Sequence, residues 1–519
     1  MVRGIEWMQG LTRRNYLKNS VKGTALLGIG GVVSGKSSSP NPIETENRKR
    51  GNAGWKPVVA SDARPSAVDH RIEGYSSESS VTPGETMTFH VSTKPHERYR
   101  VDVFRLGWYD GKGGRLMTSL PERAGQSQQI PTPLSKTGRV ECDWEATDTL
   151  DVPNDWVSGT YLAKFVLTSG KKSGTFTVCP FFVREHPDQK SRSKILVQMP
   201  IATAQAYNGW GGKSLYDFTS VGGAADEISF DRPLAGSTSL HLNYAIHLLR
   251  FLEREGYDVS YVSDVDVHRN PNVLREHQLV VSAGHDEYWS MKQRNGFEAA
   301  RDAGTNVAFL AANTALWQVR YKHDGRTMVG YKENVKDDPQ YGTQSQTGTF
   351  RTLPSPRPES ELLGVMGTGA GLYNAPDYSV VSTALDHPWM RKTGFKPNDS
   401  VVGVIGHEWD FVHRESDVTG ELTRFFHYDA GTSGLQIESD TDADAVSYRA
   451  PSNAVVFSTG TLGWTWRLDP DPRWDSINWP LNKIQEYKPQ VLKPDARLQR
   501  FTRNMLNDLQ KSNPSVAGN

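Results

Sequence analysis

The spacing of hydrophobic residues divides the chain into two parts. Up to about residue 187, short stretches in which apolar and polar residues alternate are separated by Gly, Pro and Asp turns, as in Thr86–Val91. This spacing predicts an all-β sandwich over residues 66–187. From Lys194 onward, continuous apolar runs of strand length alternate with helical patterns. The second pattern predicts an α/β domain over residues 190–512, built on a doubly wound parallel sheet.

The predicted elements follow this division. Strands of the β-sandwich are predicted at Thr86–Val91, Arg100–Phe104, Thr160–Leu167 and Gly174–Val178. Buried strands of the α/β domain are predicted at Lys194–Met199, Tyr257–Val262, Leu279–Ser282, Asn306–Ala311 and Ala454–Ser458. Helices are predicted at Leu240–Glu253, at Val273–His277, from the N-cap Ser290 to Gly304, and at Leu498–Leu509. We interpret residues of about 320–450, where no helix is predicted, as a long insertion that covers the active face.

One strand of the predicted sheet ends in a turn that carries reactive side chains. After the apolar run that begins at Leu279, the chain reaches Gly284 and then His285, Asp286 and Glu287. Ligands of open α/β sheets bind at the carboxyl ends of the strands, where such turns lie. The turn is therefore a candidate site. The alternative is that the two carboxylates only cap the following helix.

Polar residues also follow the other predicted core strands. They are Gln205–Gly212 after the first strand, then Asp264, Asp266 and His268, then Asn313 and Thr314, and finally Thr459 and Gly460. Because parallel strands end at one edge of the sheet, we expect all of these residues on the same rim. Together with nearby Gly-rich aromatic loops, they indicate a binding or catalytic site.

The residue types at this rim limit the chemistry. A fold of this kind suggests a glutamine-amidotransferase-like core, whose strand-to-helix turn would carry a nucleophilic Cys, but Cys142 and Cys179 are the chain's two cysteines and both precede the α/β domain. Their spacing excludes a zinc knuckle and leaves open either one disulfide or two buried thiols. A G-x-S-x-G motif is also missing. A metal ion is the other way to activate water, and carboxylate and phenolate ligands suit iron.

Charge and the N-terminus suggest where the protein acts. The chain has 519 residues with 59 basic and 59 acidic side chains, so no basic excess indicates a nucleic-acid partner. Arg13–Arg14 precede Tyr16–Leu17–Lys18 and a weakly apolar run, Gly23–Val33, which is too short to span a membrane. We interpret residues 1–35 as a twin-arginine export signal and 36–65 as a linker. The alternative is a basic helix followed by a disordered tail.

Several longer motifs are similar to those of one enzyme family. They are Tyr99–Gly111, Gln205–Tyr216, Ser229–Pro233, Asn243–Tyr244, Phe251–Val259, Gly284–Ser290, Ala312–Trp317, Glu408–Asp410 and Val456–Gly460. Through them the chain resembles the large (β) subunit of N,N-dimethylformamidase and the wider family that shares its C-terminal domain. The resemblance covers nearly everything from about residue 70 to residue 510.

The resemblance implies a mononuclear non-haem iron held by two tyrosines and one glutamate. By motif, these ligands would be Tyr207, Tyr244 and Glu287. Without a metal, the same residues would be a loop aromatic, a helix-face core residue and a helix cap. The resemblance also implies that Glu408 is the general base, that His285 orients a ligand or the bound water, and that Asn313 donates to the substrate carbonyl oxygen. Lys332 would be a charged pocket residue, with a surface lysine as the alternative.

These inferences predict an exported, iron-dependent hydrolase of the C–N bond of a small amide. The alternative is an exported binding protein for carbohydrate or a cell-surface polymer, which would use the aromatic loops on an inactive scaffold. The resemblance leaves open a small partner subunit or a homo-oligomer.

Overall fold

The protein has a mixed α/β fold built around one large sheet. The structure, a computed structural model, describes residues 41–55, 70–189, 191–235, 240–370, 375–406, 408–414, 417–431, 441–469 and 493–511. All of these residues belong to a single compact unit. The predicted export signal of residues 1–35 lies outside the described residues.

Five parallel strands form the core of the large sheet. In chain order these core strands one to five are Ile195–Met199, Val259–Ser263, Leu279–Gly284, Asn306–Ala311 and Val455–Ser458. Their order across the sheet is 2-1-3-4-5, which is a common order in doubly wound α/β folds. Residues of the core strands are buried almost throughout, as their continuous apolar runs predict.

Four further strands continue this sheet beyond core strand five. They pair antiparallel and are Ala443–Arg449, Leu422–Tyr428, Tyr378–Val380 and Ser400–Val401. The whole group comes from the segment that the sequence analysis treats as a covering insertion. That interpretation is wrong for these strands, because their apolar residues complete the sheet and are buried in its core.

Helices connect the core strands where the sequence predicts them. Ser290 caps the helix Met291–Asp302 by accepting from the backbone N–H of Gln293, so Asp286 and Glu287 are not helix caps. The predicted helix at Val273–His277 is a 3-10 helix at Pro271–Glu276. The α-helices of the described residues are Pro42–Asn47, Ile201–Ala206, Leu240–Arg254, Asp264–Arg269, Met291–Asp302, Ser360–Leu363 and Ala496–Leu509.

The N-terminal part contains two sheets that share an apolar core. One sheet consists of Ile72–Ser76, Thr86–Thr93 and Asp148–Asp151, and the other of Ser80–Val81, Phe176–Val183, Gly159–Leu167, Arg98–Leu106, Gly114–Ser119 and Arg123–Ala124. Phe89 lies between them, with its ring centroid 5.8 Å from that of Phe165 and 6.1 Å from that of Phe181. Face-to-face packing of this kind is that of a β-sandwich.

Smaller elements surround these sheets. One small sheet contains Glu227–Ser229, Thr327–Val329, Trp317–Lys322, Tyr288–Ser290 and Gly348–Thr349, and another contains Met366–Ala370 and Glu408–Phe411. The other 3-10 helices in the described part of the chain are Ala53–Trp55, Trp210–Gly212, Asp217–Thr219, Lys332–Asp337, Phe350–Thr352, Ser382–Ala384, Pro388–Met390 and Thr465–Arg467. No helix within the described residues is long and apolar enough to cross a membrane.

Part of the predicted linker is folded. Residues 41–55 form the helix Pro42–Asn47, with a capping box at Asn41, and then a 3-10 turn. The side chains of Ile43 and Trp55 are buried in the main core of the protein. Two widely separated apolar residues in a polar segment do not form a pattern that predicts a buried element. The contacts of Ile43 and Trp55 therefore could not be predicted from the sequence.

Both cysteines are buried free thiols in this structure. Cys179 lies in the strand Phe176–Val183, and its thiol donates to the Ser76 hydroxyl. Of the two states that the sequence leaves open, the structure has the reduced one.

A buried ion pair joins the N-terminal sheets to the α/β part. Arg105 and Glu253 have fully buried side chains, and the guanidinium donates two hydrogen bonds to the carboxylate, at 3.0 and 2.8 Å. Glu253 also accepts from the Asn47 amide and the Tyr261 phenol. Charges removed from water need such a complete set of partners, because a buried charge that loses its partner is strongly destabilising.

We therefore expect Glu253→Gln to lower the free energy of unfolding by about 3–5 kcal/mol, because Arg105 stays buried without its counter-ion. Urea denaturation measures the change. Asp302→Asn is the control, since the Asp302 side chain is 59% exposed and its pair with Arg301 should contribute less than about 1 kcal/mol. Equal losses in both variants would contradict a special role of the buried pair.

Candidate active site

The candidate site lies where the loops after core strands one and three meet. In the 2-1-3-4-5 order, the connection after core strand one runs toward one edge of the sheet and the connection after core strand three runs toward the other edge. This divergence opens a crevice at the carboxyl ends of the two strands. After core strand one the helix Ile201–Ala206 ends at Tyr207. Core strand three ends at Gly284, whose φ of 70° turns the chain into His285 and Glu287.

Gly284 also allows a helix to approach the site. A Cβ atom at this position would lie 2.9 Å from the backbone N of Ala245 and 3.1 Å from the Cβ of Tyr244. Both residues belong to the helix Leu240–Arg254. The absence of a side chain at Gly284 therefore lets Tyr244 lie beside the turn.

Glu287 is held by three neighbours. The Tyr207 phenol donates to its Oε2 at 3.2 Å, and the Trp317 indole N–H donates to its Oε1 at 3.3 Å. Its backbone N–H donates to the Thr203 hydroxyl at 3.1 Å. Burial raises the pKa of the Glu287 carboxyl, and burial together with Glu287 raises the pKa of Tyr207 well above its usual range. The carboxylate is thus fixed in position in a dry environment.

His285 lies between two carboxylates. Its Nε2 is 2.7 Å from Oε2 of Glu408 and 3.4 Å from Oε2 of Glu287. Burial lowers the pKa of His285, but Glu408 and Glu287 outweigh this effect and raise it to about 9. The imidazole is therefore a cation at neutral pH, and it offsets part of the negative charge of the two carboxylates.

Tyr244 completes the inner wall. Its ring centroid is 5.9 Å from that of His285 and 5.6 Å from that of Trp466, on which it stacks. Burial raises the pKa of its phenol. The three residues that the resemblance implies as metal ligands thus lie around His285, since the Tyr207 ring is 6.0 Å from it.

Asn313 and Glu408 form the opposite side. Glu408 begins the strand Glu408–Phe411, and its Oε2 accepts from the Asn313 side-chain amide at 2.8 Å. Asn313 has a left-handed φ of 52°, and its backbone N–H donates to Oδ1 of Asp410 at 2.9 Å. A Cβ at Gly367 would come within 2.0 Å of Oδ1 of Asn313. Asp410 and Gly367 therefore position Asn313, and Asn313 orients Glu408.

Lys332 is partly buried among aromatic side chains beside Glu287. Its ammonium lies 3.2 Å from the centroid of the Tyr216 ring and 4.7 Å from that of Trp317, and it donates to the Tyr288 phenol at 3.1 Å. Aromatic faces attract a cation in such positions. The Lys332 charge also opposes the rise in the pKa of Glu287.

Sequence reasoning missed three residues around the site. Tyr216 stacks on Tyr207 with ring centroids 4.1 Å apart, and the Tyr288 phenol donates to that of Tyr216. Asp410, which accepts from the Asn313 backbone N–H, is the third. All three lie in motifs that support the family resemblance, namely Gln205–Tyr216, Gly284–Ser290 and Glu408–Asp410. The motifs drew attention to these residues but did not indicate what they do.

Other residues predicted at the rim have structural roles instead. Asp264 accepts from the backbone N–H of Ala202, and Asp266 forms a capping box with Ser263. Asp286 accepts from the side chains of Gln198 and Ser282, and the Thr459 hydroxyl donates to backbone carbonyls. The prediction that every strand end contributes to one site is therefore too broad.

The donor atoms of the site fit a hard cation. Tyr207, Tyr244 and Glu287 would offer two phenol oxygens and a carboxylate, which are hard oxygen donors. Among the described residues, no group of three or more His, Cys, Asp or Glu side chains is arranged to hold a metal ion. A metal at this site would therefore depend on the tyrosines.

One protein family matches the chain. A family model described as "N,N-dimethylformamidase beta subunit-like, C-terminal" matches residues 100–478, a range that includes every candidate site residue. A search of curated proteins found no significant match.

Asp410 provides a test of this geometry that does not depend on activity. Burial raises its pKa from the ordinary 3.8 to about 7, so the folded protein keeps a proton on Asp410 that the unfolded chain releases. The bound proton makes its full contribution to the free energy of unfolding below about pH 4, and this contribution is lost as the pH rises to about 7. We expect the free energy of unfolding of Asp410→Asn, relative to that of the wild type, to rise over this pH range.

The amide of Asp410→Asn can still accept from the Asn313 backbone N–H, which isolates the effect of charge. Urea titrations at several pH values measure it, with Asp337→Asn, at an exposed position, as the control. The same pH dependence in both variants would show that Asp410 is ionised in the folded protein.

Proposed function

Because the chain belongs to the N,N-dimethylformamidase β-subunit-like family, we propose that it hydrolyses the carbon–nitrogen bond of a small amide. One observation carries this proposal beyond family membership. His285 is buried between Glu408 and Glu287, and the Tyr207 phenol contacts Glu287. Burying this many ionisable groups together costs folding free energy, and clusters of buried ionisable groups with shifted pKa values are typical of active sites.

We also propose that the α/β part has a glutamine-amidotransferase-like fold. The parallel core of order 2-1-3-4-5 supports this assignment. In such folds the turn after a core strand would carry a nucleophilic Cys. Here the corresponding turn has Gly284 followed by His285, which favours attack by water over covalent catalysis.

For the cofactor we propose a mononuclear iron held by Tyr207, Tyr244 and Glu287. The family resemblance implies this ligand set, and the oxygen donors around His285 support it. A bound iron ion would act as a Lewis acid toward the amide carbonyl. The fixed positions of Tyr207 and Glu287 would lower the cost of organising the site.

Glu408 is the proposed general base. It is partly exposed, so water reaches it from the open side of the site. Its carboxylate takes a proton from the attacking water and returns it to the nitrogen of the leaving amine, while the water oxygen bonds to the carbonyl carbon and the C–N bond breaks. The His285 cation, 2.7 Å away, favours the ionised form of Glu408 that this step requires.

Asn313 has two proposed tasks. One N–H of its amide donates to Glu408 and would orient this carboxylate. A side-chain amide has a second N–H on the same nitrogen, which we assign to the carbonyl oxygen of the substrate as negative charge develops there. Asp410 and Gly367 fix the amide in place before the reaction.

The binding-protein alternative is less well supported. Aromatic loops would serve sugar stacking, but a neutral polymer does not require buried carboxylates around a histidine. Export by the twin-arginine route and a small partner subunit or homo-oligomer remain proposals that rest on the sequence and the resemblance.

Replacement of the general base tests the mechanism. We expect Glu408→Gln to lower amide turnover by about 10²-fold or more, because general-base catalysis contributes this much, while the metal content stays unchanged. Steady-state kinetics on a panel of small amides and metal analysis measure the two effects. Glu421→Gln, an exposed glutamate of the same segment, is the control. Unchanged turnover in Glu408→Gln would remove Glu408 from the mechanism.

Metal analysis tests the cofactor separately. We expect stoichiometric iron in the purified protein and a visible phenolate-to-ferric charge-transfer band that weakens or disappears in Tyr207→Phe. Tyr341→Phe, at an exposed tyrosine, should keep the band. Absence of bound metal after expression in iron-replete cells would argue against the metal-dependent mechanism.

A further inference from the structure

A line of hydrogen bonds leads from Lys332 to Glu287 through three phenols. The Lys332 ammonium donates to the Tyr288 phenol at 3.1 Å, and the Tyr288 phenol donates to that of Tyr216. The Tyr216 phenol is also hydrogen-bonded to that of Tyr207, which donates to Oε2 of Glu287 at 3.2 Å. We call Tyr288, Tyr216 and Tyr207 the phenol row. It links a cation to a buried carboxylate through hydroxyl groups.

The donors of the phenol row all point the same way. A phenol has one hydrogen to donate, and the hydrogens of Tyr288 and Tyr207 are directed to Tyr216 and Glu287. The hydrogen between Tyr216 and Tyr207 therefore belongs to Tyr216, because Tyr207 has no second hydrogen to give. Each hydroxyl thus accepts one hydrogen bond and donates one. Hydrogen bonds in such a series strengthen one another.

Ring contacts fix the phenol row in place. The Tyr216 ring has its centroid 4.1 Å from that of Tyr207 and 3.2 Å from the Lys332 ammonium. This ammonium also lies 4.7 Å from the centroid of Trp317, whose indole N–H donates to Oε1 of Glu287. Aromatic faces attract a cation at such distances. Lys332 therefore contacts the supports of both oxygens of Glu287.

Packing alone does not explain the hydroxyl groups of the row. Phenylalanine has nearly the same shape as tyrosine, and it buries no polar atom. A hydroxyl removed from water costs free energy unless it is hydrogen-bonded. Tyr288 is fully buried and Tyr216 is partly buried. Their hydroxyls are satisfied through each other and through Lys332 and Tyr207, so the row acts as one unit.

We propose that Tyr216 and Tyr288 are positioning residues that hold the Tyr207 oxygen for iron binding, with Lys332 as the fixed end of the row. This inference rests on the iron site of the proposed function. When Tyr207 binds a cation and its proton passes to water, the Tyr216 hydroxyl still donates to the same oxygen. The Tyr207 oxygen therefore keeps one donor and a defined direction in both states.

Removal of single hydroxyl groups tests the row. Tyr216→Phe and Tyr288→Phe keep the rings and remove one hydroxyl each. The metal-free proteins are titrated with ferric ion, and the phenolate-to-ferric charge-transfer band is followed by visible absorption. We expect iron binding to weaken about tenfold or more in Tyr216→Phe, the range of one hydrogen bond to a charged oxygen. The band should also move to longer wavelength, because electron transfer from a phenolate takes less energy when its oxygen accepts no hydrogen bond.

Tyr288→Phe should cause smaller changes of the same sign, since it acts on Tyr207 through Tyr216. The variant Lys332→Met should do the same, and the double variant should add little to either single one, because both changes interrupt the same row. Lys332→Arg keeps the charge and should move the band less than Lys332→Met. Tyr331→Phe is the matched control, because its phenol lies near Asp226 instead. This control should keep the band and the iron affinity of the wild type.

A band and an iron affinity that stay unchanged in both Tyr216→Phe and Tyr288→Phe would overturn the inference. Fully additive effects of Lys332→Met and Tyr288→Phe would also overturn it, by showing that the two residues act separately. Equal shifts in the Tyr331→Phe control would do so as well, since the effect would then not be specific to the row.

Turnover of small amides, measured on the same proteins, separates this inference from the proposed function. A charge-transfer band in the wild type without turnover would contradict amide hydrolysis, and the band shifts of the variants would then decide the inference alone. Turnover together with unshifted bands in Tyr216→Phe and Tyr288→Phe would overturn the inference and leave hydrolysis in place. A wild-type protein that binds no iron would overturn the inference, because the row would then have no metal ligand to hold.

Discussion

Core strands one and three pair in parallel in the large sheet. Residues such as Val197 and Val281 lie side by side in this pairing, so both strands end at the same edge of the sheet. Parallel strands require long crossovers and burial on both faces. That requirement accounts for the continuous apolar runs and for the helices between them. It also brings the loops that carry Tyr207 and Glu287 to a single crevice.

The helix Leu240–Arg254 connects the site with the N-terminal sheets. Tyr244 lies in the site, and Glu253 near the other end of the same helix pairs with Arg105 of the β part. A helix fixed at one end by a buried ion pair has little freedom to shift at the other. The N-terminal part therefore contributes to the site by fixing the position of this helix, although its own residues are far along the chain from the candidate catalytic residues.

Hydrogen bonds from neighbouring residues hold the charged side chains of the site close together in a buried environment. Glu287 accepts hydrogen bonds from the Tyr207 phenol and the Trp317 indole, and its backbone N–H donates to Thr203. Glu408 is oriented by Asn313, which Asp410 holds in turn. The His285 cation offsets the two carboxylates between which it lies. The free-energy cost of bringing these charges together is part of the free energy of folding. The charged groups therefore need little rearrangement during a reaction. The half-buried aromatic residues beside them leave one side open to solvent.

Apolar periodicity and helix capping are local properties of the chain, so the core strands, the helix cap at Ser290 and the turn with His285 and Glu287 could be predicted from the amino-acid sequence. Its motifs also identified the family and the candidate site residues. The hydrogen bonds of Asp264 and Asp286, the extension of the sheet by residues 443–449 and their neighbours, and the contact of Asp410 with Asn313 are seen in the folded protein alone. These outcomes depend on contacts between segments that are distant in sequence. The sequence does not distinguish a carboxylate that caps a helix from one that orients an amide or contacts a substrate, because these roles depend on which residues lie next to it in the folded protein.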